Sequence, residues 1–395
     1  MLATDYTVRL QDLTTNKYVY SDQITIVLGN ANALHVDLSS LQCDHVDAQY
    51  VDNKDNTHSK ICECGVTVID KEPHSYENNA CVCGHTLKAI VGNSAATLES
   101  MLQLDILIDC SQLEGDDNYV ILTRHYADGR EDEVVRIDQA DWTFYRDTRY
   151  AASYTKIAAK EMGDEITAVV YNAQGQQLSI PKNDSIKAYA YRGLTAYAQI
   201  GKAPLSTLLV DMLNYGAAAQ QQFGYDTANL VTADMTDTQK SWGTAEDVAC
   251  DSNRVLGTGA RTTTLALESA VCIDFVFYAS VIGDASQWNN LYAIATFEDH
   301  YGEAKSVRVE GADFEGYRGG TDAQVRIDGL AAADYEQLVT CVVYNSEGVE
   351  IARCVDSMEG YVNRALAAGT AGATLENLCK LMAKYMAAAH TQFHQ

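Results

Sequence analysis

Hydrophobic and polar residues alternate along this 395-residue chain with two distinct periods. Leu102, Leu104, Ile106 and Ile108 alternate with polar or smaller residues, and Val169, Val170 and Tyr171 run into an NAQG turn. Both patterns predict strands. Further on, Leu205, Leu208, Leu209, Met212, Gly216, Ala219 and Phe223 recur at three- and four-residue intervals. That spacing builds one apolar helical stripe, with Pro204 suited to its entry and Gly224 to its exit. An apolar stripe cannot rest in solvent, so this helix is expected to dock on the sheet of its own module. The opening run YTVRLQDLTTNKYVYSDQITIVL places Tyr6, Val8 and Leu10 on one face and Ile24, Ile26 and Leu28 further on. It predicts a β-hairpin turned at TTNK, and a lone hairpin is only marginally stable in water. The hairpin is therefore expected to be the end of an Ig-like domain that begins upstream.

The pattern then repeats. TLESMLQLDILI from Thr97 matches ALESAVCIDFVF from Ala266, and VRIDQADW from Val135 matches VRVEGADF from Val307. ITAVVYNAQG from Ile166 matches VTCVVYNSEG from Val339, and LSTLLVDMLNYGAAAQQQF from Leu205 matches LENLCKLMAKYMAAAHTQF from Leu375. A register held across blocks at a spacing near 170 residues implies two homologous modules. The expected fold is mainly β with C-terminal helices in each module, an α+β arrangement. The expected organisation is a hairpin region over 1–40, a spacer over 41–92, a first β-sandwich-like module over 93–226, a connector over 227–258 and a second module over 259–395.

The spacer carries the chemistry. Its stretch HSKICECGVTVIDKEPHSYENNACVCGH repeats a CxCG pair, each time with histidines nearby. Cys43, His45, His58, Cys62, Cys64, His74, Cys81 and Cys83 are candidate ligands, with His85 beside them, and a tetrahedral structural zinc site needs four. Gly65 and Gly84 follow the thiol pairs, where a turn calls for positive φ. One residue separates the thiols instead of two, so both chelate only if the backbone bends sharply. Disulfides and redox chemistry are the other readings. The interleaved histidines favour structural zinc, and so does a segment too polar to fold on a core.

Charge narrows the partners. The 28 Lys and Arg stand against 54 Asp and Glu, a formal net charge of −26 spread along the chain. Such a surface repels nucleic acid and anionic membranes. No stretch approaches a membrane span, and MLATDYTVRL has neither the basic leader nor the apolar core of a signal peptide. No nucleophile elbow, Walker loop, dinucleotide fingerprint or HExxH occurs. Acid runs such as Asp116–Asp117 and Glu131, Asp132 and Glu133 read as solvated loops. Cys341 and Cys379 replace Ala168 and Leu209 of the first copy and read as small buried hydrophobes. Trp142 aligns with Phe314 and reads as core. Trp288, in the SQWNNLY loop that replaces EGDDNY, is the candidate ligand-binding aromatic.

A resemblance covers residues 41 to 395. The LES strand, the AAKEM segment before the VYN turn, the helix DMLNYGAAAQQQFGYDT and the following MTDTQKSWGTAED resemble duplicated modules in large surface proteins of Gram-positive gut anaerobes. Cys/His-rich spacers accompany such modules. The resemblance implies an extracellular or cell-surface, non-catalytic protein with an adhesive or binding role. The expected partners are host or dietary glycans or glycoproteins, and zinc is the expected structural cofactor. An accessory region of a larger secreted glycan-active or cell-wall enzyme, or a purely structural stalk, are the alternatives.

Overall fold

The computed structural model describes residues 4–6, 9–13, 17–20, 24–26, 43, 45–77, 80–98, 102–155, 157–268, 271–369 and 372–393. The chain is mainly β, with several antiparallel sheets and helices following them, an α+β fold. At the N-terminus Arg9–Asp12 pairs with Lys17–Tyr20 across the expected turn, and Thr4–Tyr6 pairs with Ile24–Ile26. The remainder of the expected hairpin region, 27–40, lies outside the described residues.

By internal contacts the chain divides into two units. One comprises 1–90 with 112–119 and 169–180, and the other 91–111, 120–168 and 181–395. In the first unit, Gln49–Asp52, Thr57–Ile61 and Thr67–Pro73 form a three-stranded antiparallel sheet, and Tyr76–Glu77 pairs with Ala80–Cys81. Its buried apolar residues between 43 and 90 are few: Ala48, Leu87, Ala89 and the thiols Cys62 and Cys81. The NAQG turn joins this unit. Asn56 Nδ2 donates to the Gly175 carbonyl at 3.1 Å, and its Oδ1 accepts from the Gln177 amide at 2.6 Å.

One strand order occurs twice in the remainder of the chain. Ala95–Thr97, Gln103–Asp109, Arg149–Tyr154 and Thr143–Arg146 lie side by side, as do Ala260–Ala266, Cys272–Phe277, Ala323–Ile327 and Glu315–Gly316. A second sheet runs Glu133–Asp138, Tyr119–His125, Glu165–Tyr171, Lys182–Asp184, and its counterpart Ala304–Glu310, Leu291–Glu298, Val339–Asn345, Glu350–Asp356. Alternate residues of Tyr119–His125 and Ala323–Ile327 are buried, as period-two patterning requires. A helix follows each set, Ile186–Ala196 and Met358–Ala367, capped by Ser185 and Ser357. Beneath each cap an aspartate is buried against an arginine about two helical turns further on. Asp184 accepts from both Arg192 terminal nitrogens at 2.8 Å and from Ser94 Oγ at 2.6 Å; Asp356 accepts from Arg364 and Thr263.

The longer helices close the sets. Pro204–Phe223 begins on its proline and ends at Gly224 with φ of 65°, as the punctuation predicts. Part of its cover is other than the expected sheet. It packs along Ala373–Phe393, the equivalent helix of the second set, and against the short turn Ala159–Glu161 of its own. The physical reason is burial on nearly every side, Ser206 and Leu208 through Leu213 and Tyr215 through Gln220, which one sheet cannot supply. Gly216 permits the turn to approach, because a Cβ there would meet Met162 Sδ at 2.7 Å and the Ala159 carbonyl at 3.1 Å. Tyr215 and Tyr385, matched in the repeat, stack with centroids 5.7 Å apart. Among the described residues no helix is long and apolar enough to cross a membrane.

Candidate metal centres

The repeated CxCG sequence builds one turn twice. The Cys62 amide donates to the Val66 carbonyl at 2.9 Å and the Gly65 amide to the Cys62 carbonyl at 2.8 Å. The Cys81 amide likewise reaches the His85 carbonyl at 2.8 Å, and Gly84 the Cys81 carbonyl at 2.9 Å. Each is a three-residue hairpin loop whose last residue needs positive φ, supplied by Gly65 at 85° and Gly84 at 89°. This is the sharp bend that a one-residue gap requires.

The turns gather all eight predicted ligands into two sets of four, Cys43, His45, Cys62 and Cys64, and His58, His74, Cys81 and Cys83, with the donor atoms of each within 4.8 Å of one another. The sets interleave along the chain. His58 lies on the strand that leads into the first CxCG turn, yet it serves the second set. Two bulges in the pairing of Thr57–Ile61 with Thr67–Pro73, at His58–Lys60 and Lys60–Ile61, uncouple its direction from simple alternation. His85 is not in either set. It sits beside the second, its ring 4.6 Å from that of His74.

The donor chemistry fits a tetrahedral metal, and of four donor contacts three match its edges while Cys81–His58 is shorter. Cys43 and Cys62 Sγ are 3.4 Å apart, Cys64 Sγ lies 3.4 Å from His45 Nδ1, Cys81 Sγ 3.1 Å from His58 Nδ1 and Cys83 Sγ 3.7 Å from His74 Nε2. A tetrahedron built from ordinary zinc–sulfur and zinc–nitrogen bonds has edges of about 3.3–3.8 Å. In the second set the remaining ring nitrogens have partners that fix which nitrogen faces the centre: His58 Nε2 meets Glu72 Oε2 at 3.4 Å, and His74 Nδ1 meets the Tyr76 hydroxyl at 3.0 Å. Tyr76 in turn meets His85 Nδ1 at 3.1 Å. Glu72 and Tyr76 were not legible as partners. Glu72 stands opposite His58 in the strand pairing, a relation that appears only once register is known.

The thiols oppose one another electrostatically. In the first set, the hydrogen bond from the Val66 amide and those from neighbouring side chains draw Cys64 down to about 7, while burial and the adjacent thiols push Cys43 up to about 11. In the second, Cys81 is lowered, the hydrogen bonds from Cys83 and His58 outweighing burial, and Cys83 is raised, chiefly by burial. One thiolate thus forms readily at the expense of its neighbour, the behaviour of a like-charge cluster without a countercharge. A divalent cation relieves that conflict.

Elsewhere the candidate residues are internal. Trp288 is 5% exposed, donates its Nε1–H to the Gly283 carbonyl at 3.0 Å, and faces Phe314 at 6.3 Å between centroids. The expectation of an exposed ligand anchor is corrected: the indole satisfies its donor within its own loop and fills core space. Trp142 is buried as well, its Nε1–H donated to the Ile137 carbonyl. Cys272, Cys341, Cys354 and Cys379 are buried, and burial pushes Cys379 up to about 11. No family model matches the chain, and no curated protein matches it.

Proposed function

We propose that the chain is a modular attachment protein of the extracellular or cell-surface kind, in which two structural zinc ions fasten the segment around 43–85. The observation that carries this reading is that each ligand set is complete, with four protein donors to each centre. A catalytic zinc keeps a position open for water or substrate, whereas a structural zinc is closed by four protein ligands. The centres therefore replace a core in a segment that has almost none. The recurring strand order and the matched Tyr215–Tyr385 pair support two copies of one module, arranged for presentation and contact. The acidic surface supports partners other than nucleic acid, and we assign host or dietary glycans or glycoproteins as the ligand class.

Two measurements test the reading. Cobalt(II) added to metal-free chain under reducing conditions is expected to give tetrahedral thiolate spectra that are unmoved by azide or cyanide; a shift on adding either anion reveals an open position and overturns the structural assignment. On an array of glycans and glycoproteins the full chain is expected to bind, and silence across the array overturns the attachment role.

A further inference from the structure

The second unit contains a polar cleft of about 410 Å³, lined by Arg124, Arg130, Glu133, Tyr154, Lys160 and Glu161 among others. Arg124 is buried and held by Glu161 at 2.7 Å and Asp164 at 2.9 Å. Arg130 reaches Glu161 at 2.5 Å and lies over the Tyr126 ring at 3.7 Å. Lys160 pairs with Glu268 at 3.1 Å. Glu133 accepts the hydroxyls of Tyr126, at 2.7 Å, and Tyr154 on one oxygen, Oε2, and among the described residues its Oε1 has no partner.

Apart from Glu161, whose carboxylate accepts the Ala158 amide as Asp334 accepts the Ala331 amide, the module does not need these groups to fold. Carrying the repeat register across, Phe297 stands at the position of Arg124, Lys305 at Glu133, Ile327 at Tyr154, Ala333 at Lys160 and Gln337 at Asp164. The strand pairing agrees, since Tyr154 faces Leu104 as Ile327 faces Ile273. The same architecture thus forms with Phe297, Ile327 and Ala333 where the first copy places Arg124, Tyr154 and Lys160, while Asp334 keeps the carboxylate of Glu161. Buried ion pairs add little stability over apolar groups of similar size, so stability does not explain the cluster.

We infer that this cleft is a saccharide-binding site, confined to the first copy, for a short neutral oligosaccharide. Its lining balances three cations, Arg124, Arg130 and Lys160, against three carboxylates, Glu133, Glu161 and Glu268, which leaves no net charge to select an ion. A ligand that satisfies both kinds of group along one groove must donate and accept at neighbouring atoms, as vicinal hydroxyls do. The volume lies within the range of small-molecule sites, about 300–1,000 Å³. Glu133 Oε1 accepts from a hydroxyl, and the ammonium of Lys160 donates to an adjacent one. This inference rests on the attachment reading and gives it a location.

The test is binding of the full chain to cellotetraose, maltotetraose and N-acetyllactosamine on a panel of neutral oligosaccharides, followed by calorimetry with the best of them. Glu133→Gln and Lys160→Ala are each expected to weaken binding by about tenfold or more, the loss of one charged hydrogen bond. Lys305→Ala, at the equivalent of Glu133 in the second copy, is expected to leave affinity unchanged. Thermal unfolding of each variant separates loss of binding from loss of fold, and a variant that fails to fold is replaced by Glu133→Ala or Lys160→Met. Undiminished affinity in folded cleft variants overturns the cleft and leaves the attachment reading standing. Silence of the unsubstituted chain across the panel and the wider array overturns both. Binding of free amino acids instead, abolished by Glu133→Gln, overturns the saccharide class.

Discussion

Chelation is expected to unfold the metal-binding segment and leave the second unit intact. Between residues 43 and 90 the buried apolar side chains, apart from the ligand thiols, are Ala48, Leu87 and Ala89. One leucine and two alanines stabilise by about 4 kcal/mol at most. A structural zinc contributes roughly 10 kcal/mol or more, and that binding energy is folding energy because the unfolded segment has no preformed site. Loss of two such contributions exceeds anything the segment's apolar contacts supply. The second unit keeps its own core, including Leu104, Ile106, Leu122, Phe275 and Phe277. Hydrogen exchange by mass spectrometry reads this directly, with and without a strong chelator under reducing conditions. The amides of Cys62, Gly65, Cys81 and Gly84, hydrogen-bonded in the turns, are expected to go from slow exchange to near the unprotected rate. Amides of Pro204–Phe223 and Ala373–Phe393 are expected to keep their protection. Retained protection at the four turn amides, once metal is shown to be gone, refutes the claim that metal substitutes for a core. Loss of protection across both units refutes its local character.

Other outcomes follow from single groups. Gly65→Ala or Gly84→Ala forces a side chain into positive φ at a cost of about 1–2 kcal/mol, so zinc affinity at the corresponding site is expected to fall by roughly five- to thirty-fold in competition with a chelating dye; unchanged affinity rejects the turn geometry. The Tyr215 hydroxyl is buried and, among the described residues, has no hydrogen-bond partner, so Tyr215→Phe removes a desolvated group and is expected to be neutral or to stabilise by about 1 kcal/mol. Differential scanning calorimetry checks this, and a loss of stability of that size shows an unseen partner. Burial acts to raise the Asp184 carboxyl, but hydrogen bonds from Arg192, Ser94 and the Ser94 and Ser185 amides outweigh it and hold it below the ordinary 3.8. A depressed carboxyl stabilises fully above the unfolded value and loses that contribution as pH falls through the native one. Melting temperatures from pH 6 downward should therefore decline more steeply for the unsubstituted chain than for Asp184→Asn, and parallel declines contradict the assignment.

Much of this was legible in the sequence, for identifiable reasons. Local patterning reported local structure: alternation marked the strand around Ile106, the apolar run into the NAQG turn marked the strand around Val170, and the three-and-four spacing with Pro204 and Gly224 marked the helix and both its ends. The eight residues that gather into two potential metal-binding groups were legible because few other roles account for thiols and imidazoles so dense. Their division was not, because bulges beside His58 break alternation and send it to the farther turn. The partner of the closing helix was also hidden. Its stripe of small and apolar residues states that it is covered, not by what, and the equivalent helix completes the cover. Trp288 was misread because loop position says nothing of side-chain direction, and its indole turns inward to the Gly283 carbonyl. Glu133, in an acid run that reads as a solvated loop, meets two tyrosines that only the tertiary fold brings to it.

The central claim is that protein-supplied thiols and imidazoles hold two metal ions, and the metal content of the purified chain tests it most directly. Native mass spectrometry paired with elemental analysis, on protein kept reduced and never exposed to chelator, is expected to find two zinc ions per chain. Alkylation of Cys43, Cys62, Cys64, Cys81 and Cys83 is expected to be blocked until the metal is removed. A folded, metal-free chain whose spacer thiols alkylate freely, or are joined as disulfides, contradicts the account.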